Sequence, residues 1–269
     1  MKKQVMWVSS IFALAFAGAT LCSAEVLEYV DDGSASAGSD DGSKQAMEGS
    51  IMSDTFAEST RKDFRGRWDG KLNLGTTTDG QNYLAALKVN ELVADLTPDK
   101  KITSAKLIMY CTNNNNKNGE NNEAYAYPML EDWRYDRLCW NMRMFDTKVR
   151  KWNTPAEGPN LKPAPDAATA DVKVFDFAEG YKGQPISAVG KRVGTEITKL
   201  GTGESIEFDV TAVVKLWQSG ELKNYGWALI CPTEGSYVRL ASSNSESNKP
   251  KLVIEYEKQA ATPAPAPAQ

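Results

Sequence analysis

The chain has 269 residues, of which 41% are hydrophobic and 25% charged, enough for one substantial domain or at most two small ones. It contains no histidine, which excludes Ser-His-Asp and Cys-His catalysis, His-ligated zinc and histidine pH switching. Its 31 basic and 35 acidic residues give a net charge of −4, so there is no basic excess to support nucleic-acid binding.

Residues 1–24 read as a secretory signal. Lys2 and Lys3 give a basic start, residues 8–21 are mostly apolar, and Cys22-Ser23-Ala24 offers small residues for cleavage before Glu25. The apolar run is too short and wrongly flanked for a transmembrane helix, so no membrane anchor is expected after cleavage. Cys22 raises lipidation as an alternative fate, but Leu21 before it fits a lipobox poorly. Residues 25–50 hold seven acids and one lysine among Ser, Gly and Ala, and read as a disordered acidic spacer. The remaining chain from Ile51 is neutral overall. Residues 258–269 alternate Pro and Ala and read as an extended tail. The folded unit is therefore expected at 51–257.

Within it, residues 53–57 (SDTFA) suggest a short strand and 61–70 (RKDFRGRWDG) a basic loop with two aromatics. Residues 83–89 (YLAALKV) place Tyr83, Ala85, Leu87 and Val89 on one face of a strand. After a connection at 92–100, residues 102–111 (ITSAKLIMYC) put Ala105, Leu107 and Met109 on one face. An Asn-rich loop at 112–122 precedes a strand at 123–130, whose Pro128 suggests an edge or a strand end. Residues 132–141 carry Trp133 and Trp140, and 142–170 read as a long irregular connection with four prolines. Strand candidates follow at 172–177, 190–200, 235–242 and 252–256.

The stretch 204–231 changes period within itself. Ile206 and Phe208 alternate with Ser205, Glu207 and Asp209, as in a half-buried strand. Val210, Val213, Val214 and Trp217 then fall at helical spacing. Asp209 or Thr211 can cap the start of that helix, and Gly220 can end it. A second strand, with Trp227 inside it, runs to Cys231. We assign Val213, Val214, Trp217 and Trp227 as structural core residues. One short helix near 210–219 among many short strands predicts an all-β fold, a two-sheet antiparallel β-sandwich of the jelly-roll type.

Five segments in this order resemble the DNRLRE-type domain, a secreted bacterial β-sandwich sometimes classed as carbohydrate-binding. They are SDTFA with a following NLG, YLAALKVNEL, ITSAKLIMY, EDW with CWN, and EFDVTAVVKLW through NYGWALI to VRLASSNSESNKPKLVIEY. Together they cover essentially all of 51–257. The resemblance implies a β-sandwich exported from the cell, and it reads Trp133 and Trp140 as structural anchors of the fold. No binding residue carries over from the family.

Candidate sites come from the residues themselves. Arg61, Lys62, Arg65 and Arg67 lie beside Phe64 and Trp68, and Trp152 lies in another polar loop. The plain reading of the basic run is a solvated loop. Its binding reading rests on guanidinium forks that match carboxylates and on aromatic faces that stack on sugars. The carboxylate pairs Asp132 with Asp136, and Glu120 with Glu123, have the spacing of ordinary solvated turns rather than of a glycosidase acid/base pair. Asp31-Asp32 and Asp40-Asp41 offer weak calcium ligands without the spacing of a defined loop, so no cofactor is expected beyond a structural calcium. Three cysteines remain after the signal, and Cys111 with Cys231 is the pair to form a disulfide if one forms; buried thiols are the alternative.

These features point to a non-catalytic module of the cell exterior or envelope, the periplasm included, that binds a polysaccharide or a cell-surface component. The alternative is a structural or adhesive protein of an extracellular assembly. A polysaccharide-degrading enzyme is the least supported class.

Overall fold

A computed structural model describes residues 24–30, 51–58, 60–61, 70–79, 81–115, 123–129, 132–134, 138–139, 142–145, 149–151, 193–196, 200–231 and 235–259. The strands are β1 (Ala24–Val30), β2 (Met52–Glu58), β3 (Lys71–Thr76), β4 (Asn82–Val89), β5 (Lys100–Asn114), β6 (Glu123–Pro128), β7 (Met142–Phe145), β8 (Val149–Lys151), β9 (Val193–Glu196), β10 (Ser205–Asp209), β11 (Trp227–Ile230), β12 (Tyr237–Ala241) and β13 (Lys251–Lys258). Helix α1 (Leu92–Asp95) is a single turn inside the connection after β4, and α2 (Thr211–Ser219) is the helix expected near 210–219. The fold is all-β, and every strand pair is antiparallel. Among the described residues, no helix is long and apolar enough to cross a membrane.

Eleven strands hydrogen-bond into one continuous sheet rather than two separate ones. Its order is β1-β13-β5-β12-β3-β4-β11-β6-β9, with β10 also on β5 and β2 also on β4, while β7 and β8 form a small hairpin of their own. The fifteen-residue β5 is the link. Its first part pairs with β13 and β10, and its last residues pair with β12. Leu252 and Ile254 from β13 belong to the same apolar core as Leu87 from β4 and Leu229 from β11, so the sheet curls over to share one interior.

Two threonines let β5 make this passage. Strict alternation would place Ile102 on the face opposite Ala105, Leu107 and Met109, yet all four are buried in the core. Ile102 pairs with Tyr256 and Ser104 with Glu255, which leaves Thr103 as an extra residue. Such a bulge resets the alternation and sharpens the twist. Thr112 is the extra residue of a second bulge, between the pairs Cys111–Leu240 and Asn113–Arg239. In each bulge the threonine hydroxyl donates to the partner strand, to Glu255 O at 3.1 Å and to Arg239 O at 3.1 Å.

Helix α2 closes one end of the core. Asp209 Oδ1 accepts from the Thr211 N–H at 3.0 Å and from its hydroxyl at 2.6 Å, holding the chain as it enters the helix. Gly220 ends it in the left-handed conformation, φ 78°. Val213, Val214 and Trp217 are buried, and the Trp217 ring packs on Trp227 with centroids 4.6 Å apart. The segment bearing Trp133 docks nearby, its indole N–H donating to Tyr225 O at 2.7 Å.

Two expectations are corrected. Residues 25–50 are not all spacer, because β1 takes up 24–30 and pairs along the whole of β13. The acidic composition of 25–50 hides a local run, EVLEYV, of strand-forming residues. Its two glutamates meet lysines of β13: Glu25 with Lys258 at 2.7 Å and Glu28 with Lys251 at 3.4 Å. The pair Cys111–Cys231 forms no disulfide, and both residues are buried, as is Cys139. Cys111 lies on β5 and Cys231 just after β11, with β12, β3 and β4 between them in the sheet order. Burial also pushes the Cys111 thiol above its ordinary pKa.

Candidate functional site

A row of directly paired residues crosses four strands: Glu58 on β2, Tyr83 on β4, Gly75 on β3 and Tyr237 on β12. Side chains at such positions are nearest neighbours. Gly75 sits at φ 115°, and a Cβ there would lie 2.0 Å from the Ser236 carbonyl oxygen, so only glycine fits. Its missing side chain lets the rings on either side meet. Tyr83 and Tyr237 have centroids 5.0 Å apart and are tilted by 52°. Phe56 supports Tyr83 at 6.3 Å.

Arg239, two residues along β12, packs on the same aromatic pair. Its Nε donates to Tyr237 Oη at 2.8 Å, and its guanidinium carbon is 5.5 Å from the Tyr237 ring centroid. Glu58 brings in a second guanidinium. Its side chain is 1% exposed, whereas that of Arg61 is 62% exposed. Arg61 grips the carboxylate with both Nε and Nη2, the latter at 2.8 Å from Oε2. A buried carboxylate requires such a partner, and the hydrogen bond to Glu58 holds the Arg61 pKa above its usual value. Burial pushes the Tyr83 hydroxyl up to about 12, with the charge of Glu58 adding to it. Arg61 and Arg239 pull the same hydroxyl the other way. The result is a rigid aromatic pair flanked by two guanidinium groups.

Of the residues expected to bind a ligand, Arg61 lies in this cluster. Lys62, Arg65, Arg67, Trp68 and Trp152 fall outside the described residues, as do Trp140, Asp136, Glu120 and the acidic pairs Asp31-Asp32 and Asp40-Asp41. Asp132 stands 3.6 Å from Lys88 Nζ. Among the described residues, no three His, Cys, Asp or Glu side chains gather as a metal site. Val213, Val214, Trp217 and Trp227 are all buried.

Glu58, Tyr83, Tyr237 and Arg239 were not legible as a site in the sequence. Each reads as one position of a strand, and only the register brings them together. Arg239 alone carried a cue, as a cation inside the apolar run YVRLA. No family model matches the chain, and a search of curated proteins finds no match.

Proposed function

We propose that the protein is a non-catalytic module of the cell exterior or envelope that binds an acidic polysaccharide through the Tyr83–Tyr237–Arg239–Arg61 face. The observation that carries this reading is the tilted tyrosine pair with Arg239 on Tyr237 and Arg61 held by Glu58, the residue paired with Tyr83. An aromatic face covers the apolar C–H surface of a sugar ring, and a guanidinium fork pairs with a uronate carboxylate or a sulfate. The Glu58 clamp fixes Arg61 in advance, which lowers the ordering cost of binding. Arg61 also opens the basic run 61–67 of the sequence. Export is supported by the leader-like residues 1–24, and the module reading by the resemblance to DNRLRE-type domains.

The test uses retention on alginate, pectin and neutral glucan gels. Arg61 is a poor position to substitute, because its loss would take the guanidinium partner from the buried Glu58 carboxylate and disturb the fold as well as the face. Arg239→Gln and Tyr83→Leu are better. Arg239→Gln is expected to abolish retention on the two acidic gels, and Tyr83→Leu to weaken it at least tenfold. Wild-type-like retention of both variants on every gel would overturn the assignment.

A structural role in an extracellular assembly is the second reading. It is favoured by one observation, the N-terminal strand added to the edge of β13.

A further inference from the structure

We propose that β1 is an exchangeable strand, and that the β13 edge of one copy accepts residues 24–30 of a second copy in the register it uses for its own. Three features of the fold lead there. First, β1 is the terminal strand of the sheet and pairs with β13 alone. Second, its attachments are specific: Tyr29 and Leu27 meet the core, and the charged residues pair with the edge of β13. Tyr29 is its buried side chain, and its hydroxyl donates to Asp95 Oδ2 at 3.0 Å. Glu25 accepts from the Tyr256 hydroxyl at 2.6 Å and pairs with Lys258, while Glu28 pairs with Lys251. Acidic strand and basic edge form a matched set that selects this segment over other extended chains. Third, twenty residues, 31–50, lie between the end of β1 and Ile51. A connection of that length can span up to roughly 70 Å, enough to reach a neighbouring copy.

The same contacts form whether the strand comes from its own chain or from another, so the two arrangements differ only in how the ends are joined. A strand joined to its own acceptor competes with other copies at an effective concentration that is on the order of millimolar for short flexible connections. Exchange is therefore a property of crowded copies, as on a surface, and not of dilute solution. Each copy gives one strand and accepts one. Reciprocal exchange closes a dimer, and one-way exchange extends a chain of copies.

The register supplies the test, because Glu28 faces Val253. Two full chains are made, one with Glu28→Cys and one with Val253→Cys. They are mixed at high concentration, warmed, recooled and oxidised. The expected product is a disulfide-linked heterodimer whose proteolytic fragments join position 28 of one copy to position 253 of the other. Pairing Glu28→Cys with Lys215→Cys, on α2, should give no such link. A double Glu28→Cys/Val253→Cys chain, kept dilute, should close on itself. If it closes while the mixture yields no 28–253 link, exchange is overturned; if it does not close, the pairing itself is wrong and the proposal fails with it. Lys258→Glu on the accepting copy, which opposes Glu25 of the donating copy, should reduce the yield of the link several-fold. Glu25→Lys on the donating copy should restore it, and a link indifferent to these charges would overturn the matched-set argument. None of these readouts involves the polysaccharide face, so the two proposals stand or fall separately.

Discussion

Helix α2 and strand β1 are both single elements laid against the curled sheet, but they are held by different physics. Helix α2 turns Val213, Val214 and Trp217 into the core. Full burial of such side chains is worth about 1.5–3 kcal/mol each. Its polar contacts only orient it: Gln218 Nε2 donates to Thr97 O at 3.0 Å and to Lys100 O at 2.7 Å. Strand β1 buries one tyrosine, lays a half-buried Leu27 against the core, and is otherwise held by its backbone ladder and by ion pairs with the lysines of β13. Exposed ion pairs contribute about 0–1 kcal/mol each and weaken with salt. The helix is thus part of the cooperative unit, while the strand is a local addition with its own, smaller stability. Burial without direction makes an element permanent, and matched charges make it selective and removable.

The largest effect expected is on the helix side. Trp217→Ala removes a side chain packed on Trp227 with a 4.6 Å ring separation. The cavity should cost about 3–5 kcal/mol, a large share of the roughly 5–15 kcal/mol that holds a domain together. The loss should be global, lowering the urea midpoint of the whole domain and the hydrogen-exchange protection of β5, β10 and β11 alike. A midpoint close to that of the wild type would show that the helix is not a plug.

The contrast between these two regions also marks what was legible in the sequence. The period change at Asp209, the stripe Val213-Val214-Trp217 and the stop at Gly220 all act within a few residues, so the sequence displays them directly. The all-β class was legible for the same reason. β1 was obscured because its composition is that of the acidic segment it begins. Its partner β13 lies more than 220 residues away, and a lone glutamate does not announce a distant lysine. The two β5 bulges were equally hidden: Thr103 and Thr112 read as ordinary strand residues until the register leaves them unpaired. The tyrosine–arginine face had the least signal. It exists because four strands place Glu58, Tyr83, Gly75 and Tyr237 in one row, and long-range register is not written in local periodicity. The one member found in advance, Arg61, was found through the charge of its loop.

On the strand side the effects should be smaller and confined. Tyr29→Phe keeps the buried ring and removes the hydroxyl that donates to Asp95. The cost should be about 1 kcal/mol. Protection of the β1 amides should fall several-fold, with β5 and β11 unchanged. If the whole sheet lost protection together, β1 would belong to the cooperative unit and its contrast with α2 would disappear.

The smallest effect separates the charges of β1 from its backbone ladder. Hydrogen bonds from Lys258 and from the Tyr256 hydroxyl hold the Glu25 carboxyl below its ordinary pKa of 4.5, with the charges of Lys258 and Lys100 acting in the same direction. A depressed folded pKa means that the docked strand favours the ionised form. This contribution is therefore fully present above about pH 4.5 and is lost as the pH falls through the lower, folded value. Glu25→Gln removes it at every pH. The ratio of β1 amide exchange in Glu25→Gln to that in the wild type cancels the intrinsic pH dependence of exchange. That ratio should exceed one at pH 7, by less than Tyr29→Phe produces, and should fall toward one as the pH drops below 4.5. The same ratio should shrink in high salt, because the lysine of the pair is exposed to solvent. A ratio that stayed constant from pH 7 to pH 3 would mean that the ladder alone holds the strand. The choice of this segment by the β13 edge would then have to come from Tyr29, since the charges would carry none of it.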